Sequence, residues 1–525
     1  MKAKKIISIL MVLPLLASCG KPKELVIPTV DVDSITPDLP TKPSYSGPIL
    51  SDDNYDYLDF YELSDMHGAV NYEVHSESNY IGLPRLASYL DKKRTENPGG
   101  TFVVSSGDMF QGSADSNLTR GYMVNYAMNY MGFDSMAIGN HEFDWTASWL
   151  EKNANLSYNG YKIPFISANI VKAGTTETPD FLKKSTIIER SGYKVGIVGS
   201  IGETLKGSIL KSCVEGFDFL NEVECVNAEA TRLKEDEHCD VVILTSHNDI
   251  EMLTGLKNVD AVFGGHAHIT KSTTIGDAIP AAQTKNYGQS IAHIQLKIDK
   301  LSKSVSYSKL EVDERPSGGL SDNEDVKKIM NSYASEINEI KDMKLGKCDE
   351  TLVKDKVLKA ICVESMYQGA LKGIENLGLD IKPEDILATF HNINGGIRAD
   401  IEKGDITYGD VYAPFPFDNE IVLYKIKGSV FKNKSGALTD YAVRREFNDK
   451  SEIDSKKYYY IVLTDFLALS ENYFGGSFNI TEDELVRTGK VVRDEVANFI
   501  YQKGKIKEKD FNPNLLPYKA IPKIF

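Results

Sequence analysis

Cysteine is scarce in this chain of 525 residues: there are six, and none stands in a C-x-x-C pair. That excludes a disulfide-stapled scaffold and a zinc knuckle. Once Cys19 is set aside, Cys213, Cys225, Cys239, Cys348 and Cys362 remain, an odd count. Buried thiols are the expectation, with a Cys213–Cys225 bridge left open. Positive charge is short as well. Sixty Lys and Arg against 75 Asp and Glu give a formal net charge of −15. This excludes a coat for a nucleic-acid polymer and a polybasic membrane patch. An anionic substrate therefore needs local positive charge, from metal ions or a few arginines. Long apolar runs are missing too. After the N-terminus no stretch reaches the ~20 residues of a membrane span, so the rest is expected to be soluble. No internal repeat is present.

What is there begins with "MKAKKIISILMVLPLLASCG". A basic start at Lys2, Lys4 and Lys5 and a short apolar run read as a secretory signal. Leu16-Ala17-Ser18-Cys19 resembles a bacterial lipobox. The resemblance implies cleavage before Cys19, lipidation of its thiol, and a lipid-anchored protein on the bacterial surface or facing the periplasm. Residues 20–50 hold six of the 19 prolines and read as a tether that lifts the remainder off the membrane. The length implies two domains. The expected division is a signal peptide over 1–19, a Pro-rich tether over 20–55, a first domain over 56–320, a connecting helix over 321–345 and a second domain over 346–525. The connecting helix rests on Val326, Ile329, Met330, Tyr333, Ile337 and Ile340, which share one helical face.

From Tyr57 onward short apolar runs end again and again in polar loops: "YLDFYELSDMHG", "TFVVSSGDMFQG", "MAIGNHEFDW", "DVVILTSHND", "VDAVFGGHAH". Helical patterns lie between several of them. This alternation predicts a layered α/β domain whose loops gather at one end of the strands. The loops offer Asp65, His67, Asp108, Asn140, His247, His266 and His268. Alternate residues on an extended segment share a face, so Asp65 with His67, and His266 with His268, are expected to point together. All are N or O donors, which suits Zn, Mn, Fe or Co. With Asp108 shared, seven ligands fill two sites. Two cations about 3.5–4 Å apart polarise a phosphoryl oxygen and lower the pKa of bound water from about 15.7 towards about 7.

D-x-H, GD, GNHEFD, SHN and GGHAH, in this order, resemble the calcineurin-type metallophosphoesterases, and the longer GNHEFD resembles the 5'-nucleotidase and UDP-sugar hydrolase family. The resemblance implies a four-layer αββα metal domain, a connecting helix and a C-terminal α+β nucleotide-binding domain. It places Asp65, His67, Asp108 and His268 on one metal and Asp108, Asn140, His247 and His266 on the other. His141 then stabilises the phosphoryl or leaving group, Asp144 orients His141, and Asn169 is structural. Glu142 has no assigned role beyond a hydrogen bond that fixes its loop. His75, His238 and His293 are assigned to surface or scaffold; His391 lies beside the second candidate site.

The second domain resembles the family over "HNINGGIRADIEKGDITYGDVYAPFPFDNEIVLYKIKG". Arg398 is implied to bind phosphate or ribose, Phe417 to stack on the base, and Asn419 to hydrogen-bond it. Two departures stand out. The family's Asn five residues before the arginine is Ile393 here, flanked by Asn392 and Asn394, and Asn394 is taken as the candidate. The second aromatic clamp aligns at Phe466, and the ribose-binding acid becomes Asn472; in another register the clamp is Tyr473 or Phe474. A further arginine has only Lys354 or Lys356 nearby. The expected activity is hydrolysis of extracellular 5'-nucleotides by a metal-activated water, with two divalent ions, a nucleotide as partner, membrane contact through the lipid only, and no protein partner. The rivals are a 2',3'-cyclic phosphodiesterase, a UDP-sugar hydrolase and a ligand-binding lipoprotein.

Overall fold

The computed structural model describes residues 24–75, 79–276, 278–434, 441–447, 450–470 and 472–511. The signal sequence and the lipidation site Cys19 lie outside them. In the first domain two sheets stack face to face. In one, Tyr55–Leu63, Thr101–Ser105, Ser135–Ala137 and Phe165–Ile166 run parallel, and Ile291–Asp299 joins the other edge antiparallel. In the other, Tyr193–Ile201, Val241–His247, Ala261–Gly264 and Ile279–Gln283 are parallel neighbours.

These strands are apolar because both of their faces are covered. Leu58, Phe60, Phe102 and Val104 of the first sheet meet Val195, Ile197, Ile243 and Phe263 of the second in one buried layer. Helices Gly82–Glu96 and Tyr122–Met131 cover the outer face of the first sheet, and Glu222–Glu235 covers that of the second. The result is the four-layer αββα arrangement. It also brings the C-terminal ends of the parallel strands of both sheets to one rim, where α/β folds bind ligands.

The second domain is α+β. Its five-stranded sheet runs Tyr441–Arg445, Ile386–Asn392, Tyr458–Thr464, Glu420–Lys427, Leu485–Val491. Helices Lys359–Asn376 and Val492–Lys503 pack on it through Ile361, Met366, Val496 and Ile500. The five cysteines beyond Cys19 are free thiols, so Cys213 and Cys225 form no bridge.

Two segments differ from expectation. The connection is two helices, Glu324–Asn331 and Ala334–Lys341. Asn323 caps the first by accepting from the Asp325 and Val326 amides. The change of core falls inside the second helix: Val326, Ile329, Tyr333 and Ile337 belong to the core of the first domain, whereas Ile340 belongs to that of the second. The Pro-rich segment, in turn, is no free tether from Glu24 onward. Leu25, Ile27 and Val30 pack on the core of the second domain, and Ile35 and Leu39 on that of the first. The Leu25 amide donates to Asn498 Oδ1 at 3.2 Å, Glu24 pairs with Lys490 at 3.1 Å, and Val32 is buried. Beyond it Asp33 pairs with Lys152 at 2.7 Å, the Asp38 amide donates to Ser332 Oγ at 2.8 Å, and the Tyr158 hydroxyl donates to Pro40 O at 2.6 Å. Proline density hid the apolar residues between the prolines, and these glue the segment down as a strap across both domains.

Candidate active site

The rim carries the candidate ligands. Asp65 and His67 follow Tyr55–Leu63, Asp108 follows Thr101–Ser105, Asn140 follows Ser135–Ala137, His247 ends its own strand, and His266 and His268 follow Ala261–Gly264. They converge, but not by alternation along extended backbone. Asp65 (φ 53°), His67 (46°), Asp108 (54°), His266 (68°) and His268 (57°) all adopt left-handed backbone. Such conformations cost about 1–3 kcal/mol each for residues other than glycine and collect at functional sites. The loops are pinned to one another: the Asp65 amide donates to Gly107 O at 2.9 Å and the His67 amide to Asp108 O at 3.0 Å.

Two donor sets result, Asp65–His67–His268 and Asp108–His247–His266, with the ligand atoms of each within 4.8 Å of one another. His67, Asp108 and His141 form a third set that overlaps both. His268 Nε2 lies 3.3 Å from Asp65 Oδ1 and 3.1 Å from His67 Nε2. His247 Nε2 lies 3.1 Å from Asp108 Oδ2 and 3.2 Å from Asn140 Oδ1. The chemistry of the set fits divalent cations. His67 Nδ1 faces Gln111 O at 2.9 Å and His247 Nδ1 faces Ser106 O at 2.7 Å. A carbonyl only accepts, so each Nδ1 carries a proton and each Nε2 is turned to the cluster, as in metal-ligating histidines. Burial pushes His67 down to about 3 and, helped by the nearby His247, His266 down to about 4, so both are neutral at pH 7. Burial opposes charge on His247, but the Asp108 carboxylate holds its pKa up at about 10.

The GNHEFD stretch resolves into separate tasks. A Cβ on Gly139 would collide with Asp108 Oδ1, which accounts for the glycine. Asn140 turns its Oδ1 to His247. The His141 amide donates to Asp108 Oδ1 at 2.8 Å, and its Nδ1 lies 2.8 Å from Asp144 Oδ2. Burial works against charge on His141, and the Asp144 and Asp108 carboxylates raise its pKa despite it. Glu142 fixes the loop, as guessed: its carboxylate accepts from the amides of Asp108 (2.8 Å), Met109 (2.9 Å) and Gly139 (2.8 Å). Burial pushes Glu142 up to about 7. Asn169 is structural, bonded to the Ile201 and Leu220 backbone. His293 is held between Asp59 at 2.7 Å and Glu311 at 2.9 Å, in the scaffold. His391 is buried, bonded to Asn392 O and pushed down to about 4, outside the cavity.

The second domain closes over this rim and leaves a cavity of about 230 Å³. Asn140, His141, Asp144 and His266 line one end; Arg398, Phe417, Asn419, Asn394, Phe466 and Asn472 line the rest. Four candidates of the first domain thus share one cavity with those of the second, whereas Asp65, His67, Asp108, His247 and His268 do not line it. Phe417 lies over the His141 imidazole, and the Arg398 guanidinium carbon is 5.2 Å from the centre of the same Phe417 ring. Arg398 Nε donates to Gly395 O at 2.8 Å. Lys354 and Lys356 do not line the cavity, so neither replaces the family's further arginine. Tyr473 lines it beside Phe466, their rings 5.3 Å apart.

In the sequence Asn392 is marked only as a neighbour of Ile393, and Arg120 and Arg493 are not marked at all. Asn392 lines the cavity with a buried Oδ1 that has no partner among the described residues, whereas the candidate Asn394 is exposed. Asp418 joins the domains: it pairs with Arg120 at 2.8 Å and with Arg493 at 2.6 Å. Gln111 and Asn117 donate to Pro416 O at 3.2 and 2.8 Å, and Arg493 donates to Phe417 O at 3.2 Å. These contacts hold the Phe417 loop from both sides, and only the position of Asp418 inside "PFDN" could have hinted at them.

Known proteins share the sequence pattern and the fold. Residues 58–270 match the family model described as calcineurin-like phosphoesterase, and residues 374–434 that described as 5'-nucleotidase, C-terminal domain. Endonuclease YhcR of Bacillus subtilis (strain 168) is 26% identical over 398 residues, covering 70% of this chain and 31% of its own length. Protein UshA of Salmonella pullorum is 24% identical over 523 residues, covering 86% of this chain and 92% of its own. A crystal structure of a 5'-nucleotidase precursor from Thermus thermophilus superposes with a TM-score of 0.68 at 19% identity, covering 86% of this chain and 97% of that one. The chain spans less than a third of the length of some curated relatives it matches, YhcR among them.

Proposed function

The chain belongs to the calcineurin-like phosphoesterases that carry a 5'-nucleotidase C-terminal domain, and from that premise we propose that this metal-dependent phosphoester hydrolase cleaves 5'-nucleotides to nucleoside and phosphate. The observation that carries the reading is that one cavity joins Asn140, His141, Asp144 and His266 at the donor cluster of one domain to the aromatic and amide side chains of the other. In the proposal, Asp65, His67, Asp108 and His268 hold one divalent cation, and Asp108, Asn140, His247 and His266 a second. Bound cations supply Lewis-acid polarisation of the phosphoryl group and lower the pKa of water.

The chain's own residues do the rest. Arg398 pairs with the phosphate or ribose through its planar fork. Phe417 stacks on the base, and Asn419 and Asn472 bond polar edges of the nucleoside. Asn392 Oδ1 accepts from a substrate hydroxyl. His141, held by Asp144, directs its other nitrogen to the phosphoryl or leaving oxygen, where a proton or charge-assisted hydrogen bond is needed. We place the protein outside the cytoplasm, lipid-anchored through Cys19; among the described residues no helix is long and apolar enough to cross a membrane.

A phosphate-release screen tests the reading. AMP, 2',3'-cyclic AMP and UDP-glucose are each supplied with Zn, Mn, Fe or Co in turn. Release from AMP is expected to dominate. Dominance of the cyclic ester or of UDP-glucose replaces the 5'-nucleotidase reading with that activity. No turnover of any of them, with a metal-free protein, leaves a ligand-binding role.

A further inference from the structure

The cavity wall around Phe466, Asn472 and Tyr473 is built by both domains. Phe466, Asn472 and Tyr473 come from the second domain; Trp145, Ser208 and Leu210 come from the first. Leu210 packs against the cores of both domains. The contact is specific. Ser470 Oγ donates to Gly207 O at 2.9 Å, and a Cβ on Gly207 would stand 3.4 Å from Asn472 Nδ2. The Glu203–Ser208 turn of the metal domain therefore rests on the same loop that carries Asn472 and Tyr473. That loop lacks the double glycine expected at its start, and the neighbouring domain supports it here.

We infer that the turn through Ser208 and Leu210 is a specificity element for the base of the nucleotide, working as the metal domain's half of a two-domain nucleoside pocket. The inference rests on the 5'-nucleotide reading and adds to it. With Phe417 on one face of the planar heteroaromatic part of the substrate, its remaining face and edge are left to the residues around Phe466 and Tyr473. Leu210 and Trp145 give it an apolar wall, and Ser208 a hydroxyl that donates or accepts. The wall exists only while Ser470 and Gly207 are joined, so base recognition is tied to the domains standing in this relation. A substrate with phosphate and sugar but no base makes no use of it.

The test compares AMP with ribose 5-phosphate, both with the metal that the screen selects, in the full chain and in Leu210→Ala, Leu210→Met and Ser470→Ala. Expected is a fall of about tenfold in the ratio of kcat/KM for AMP to that for ribose 5-phosphate in Leu210→Ala, the order produced by truncating an apolar pocket wall. The fall resides mainly in KM. Leu210→Met restores most of the ratio, and Ser470→Ala lowers it in the same sense. Thermal melting and metal content show whether each variant folds; if Leu210→Ala does not, Ser470→Ala decides. A ratio that stays constant in folded variants, while the parent turns over AMP, overturns the inference and leaves the nucleotidase reading intact. A parent that turns over ribose 5-phosphate but no nucleotide overturns both.

Discussion

The Phe417 ring lies over the His141 imidazole, with centroids 5.8 Å apart and planes inclined by 28°. A residue of the second domain thereby covers a residue that lies beside the candidate metal ligands of the first. Arg493, Gln111 and Asn117 hold the backbone on either side of Phe417, so the stack is a built feature of this domain arrangement.

Phe417→Ala is expected to raise KM for nucleotides about tenfold, because stacking of a base on an aromatic ring is worth about 1–3 kcal/mol. Phe417→Tyr keeps most of the affinity. Steady-state phosphate release, with metal content measured alongside, checks both. A rise in KM accompanied by metal loss would assign Phe417 to covering the metals instead.

Asp108 sits where the two donor sets meet. Asp108→Ala is expected to lower kcat by at least about 10³-fold, the scale of removing a key electrostatic group, and to lower the bound metal. Chelation of the parent protein gives the same loss, reversed by adding the metal back. Elemental analysis and phosphate release are the measurements. Full activity in Asp108→Ala would sink the assignment.

Asp144 raises the pKa of His141, against burial. The raised value keeps the imidazole charged to higher pH, and the charge is lost as pH rises through it. Asp144→Asn removes that support, so the alkaline limb of the rate profile moves to lower pH. An accompanying fall of about 10–100-fold in kcat matches the loss of an orienting partner. An unmoved limb argues that His141 acts without titrating.

Asp418 lies between Arg120 and Arg493, and although burial alone would raise it, they hold its pKa down at about 2 against an ordinary 3.8. Its stabilising contribution is complete above about pH 4 and is lost as pH falls towards 2. Asp418→Asn is expected to cost about 1 kcal/mol at pH 7, the upper range for partly exposed pairs. The gap to the parent closes as pH falls through that window. Denaturant melts at pH 7, 4 and 3 measure it.

The Asp/His/Asn cluster was legible because its side chains stand in loops that directly follow apolar strands, and strand order alone brings such loops together. The means of convergence was not legible. Left-handed backbone at Asp65 and His268 leaves no mark in a sequence when the residue is not glycine. Glu142 could be guessed as a loop fastener but not assigned, since its three amide partners are backbone atoms from two loops. In the second domain Arg398 and Phe417 stood out by motif. Asn392 did not, because an unpartnered carbonyl oxygen is known only once its neighbours are placed. The break in the connecting helix at Ser332–Tyr333 was not legible either, because its apolar face is continuous in sequence and the residues on both sides of the break serve one core.

The strap adds a second crossing between the domains, covalent on the side of the first and held by packing on the side of the second. One crossing lies between Ile337 and Ile340, where the connecting helices pass from core to core. The other lies between Val30 and Ile35, where the N-terminal segment does the same. Any displacement of the second domain must carry the strap along or peel Leu25, Ile27 and Val30 from its surface. One of the two clasps between the domains is written in a stretch that composition alone would have dismissed as a leash.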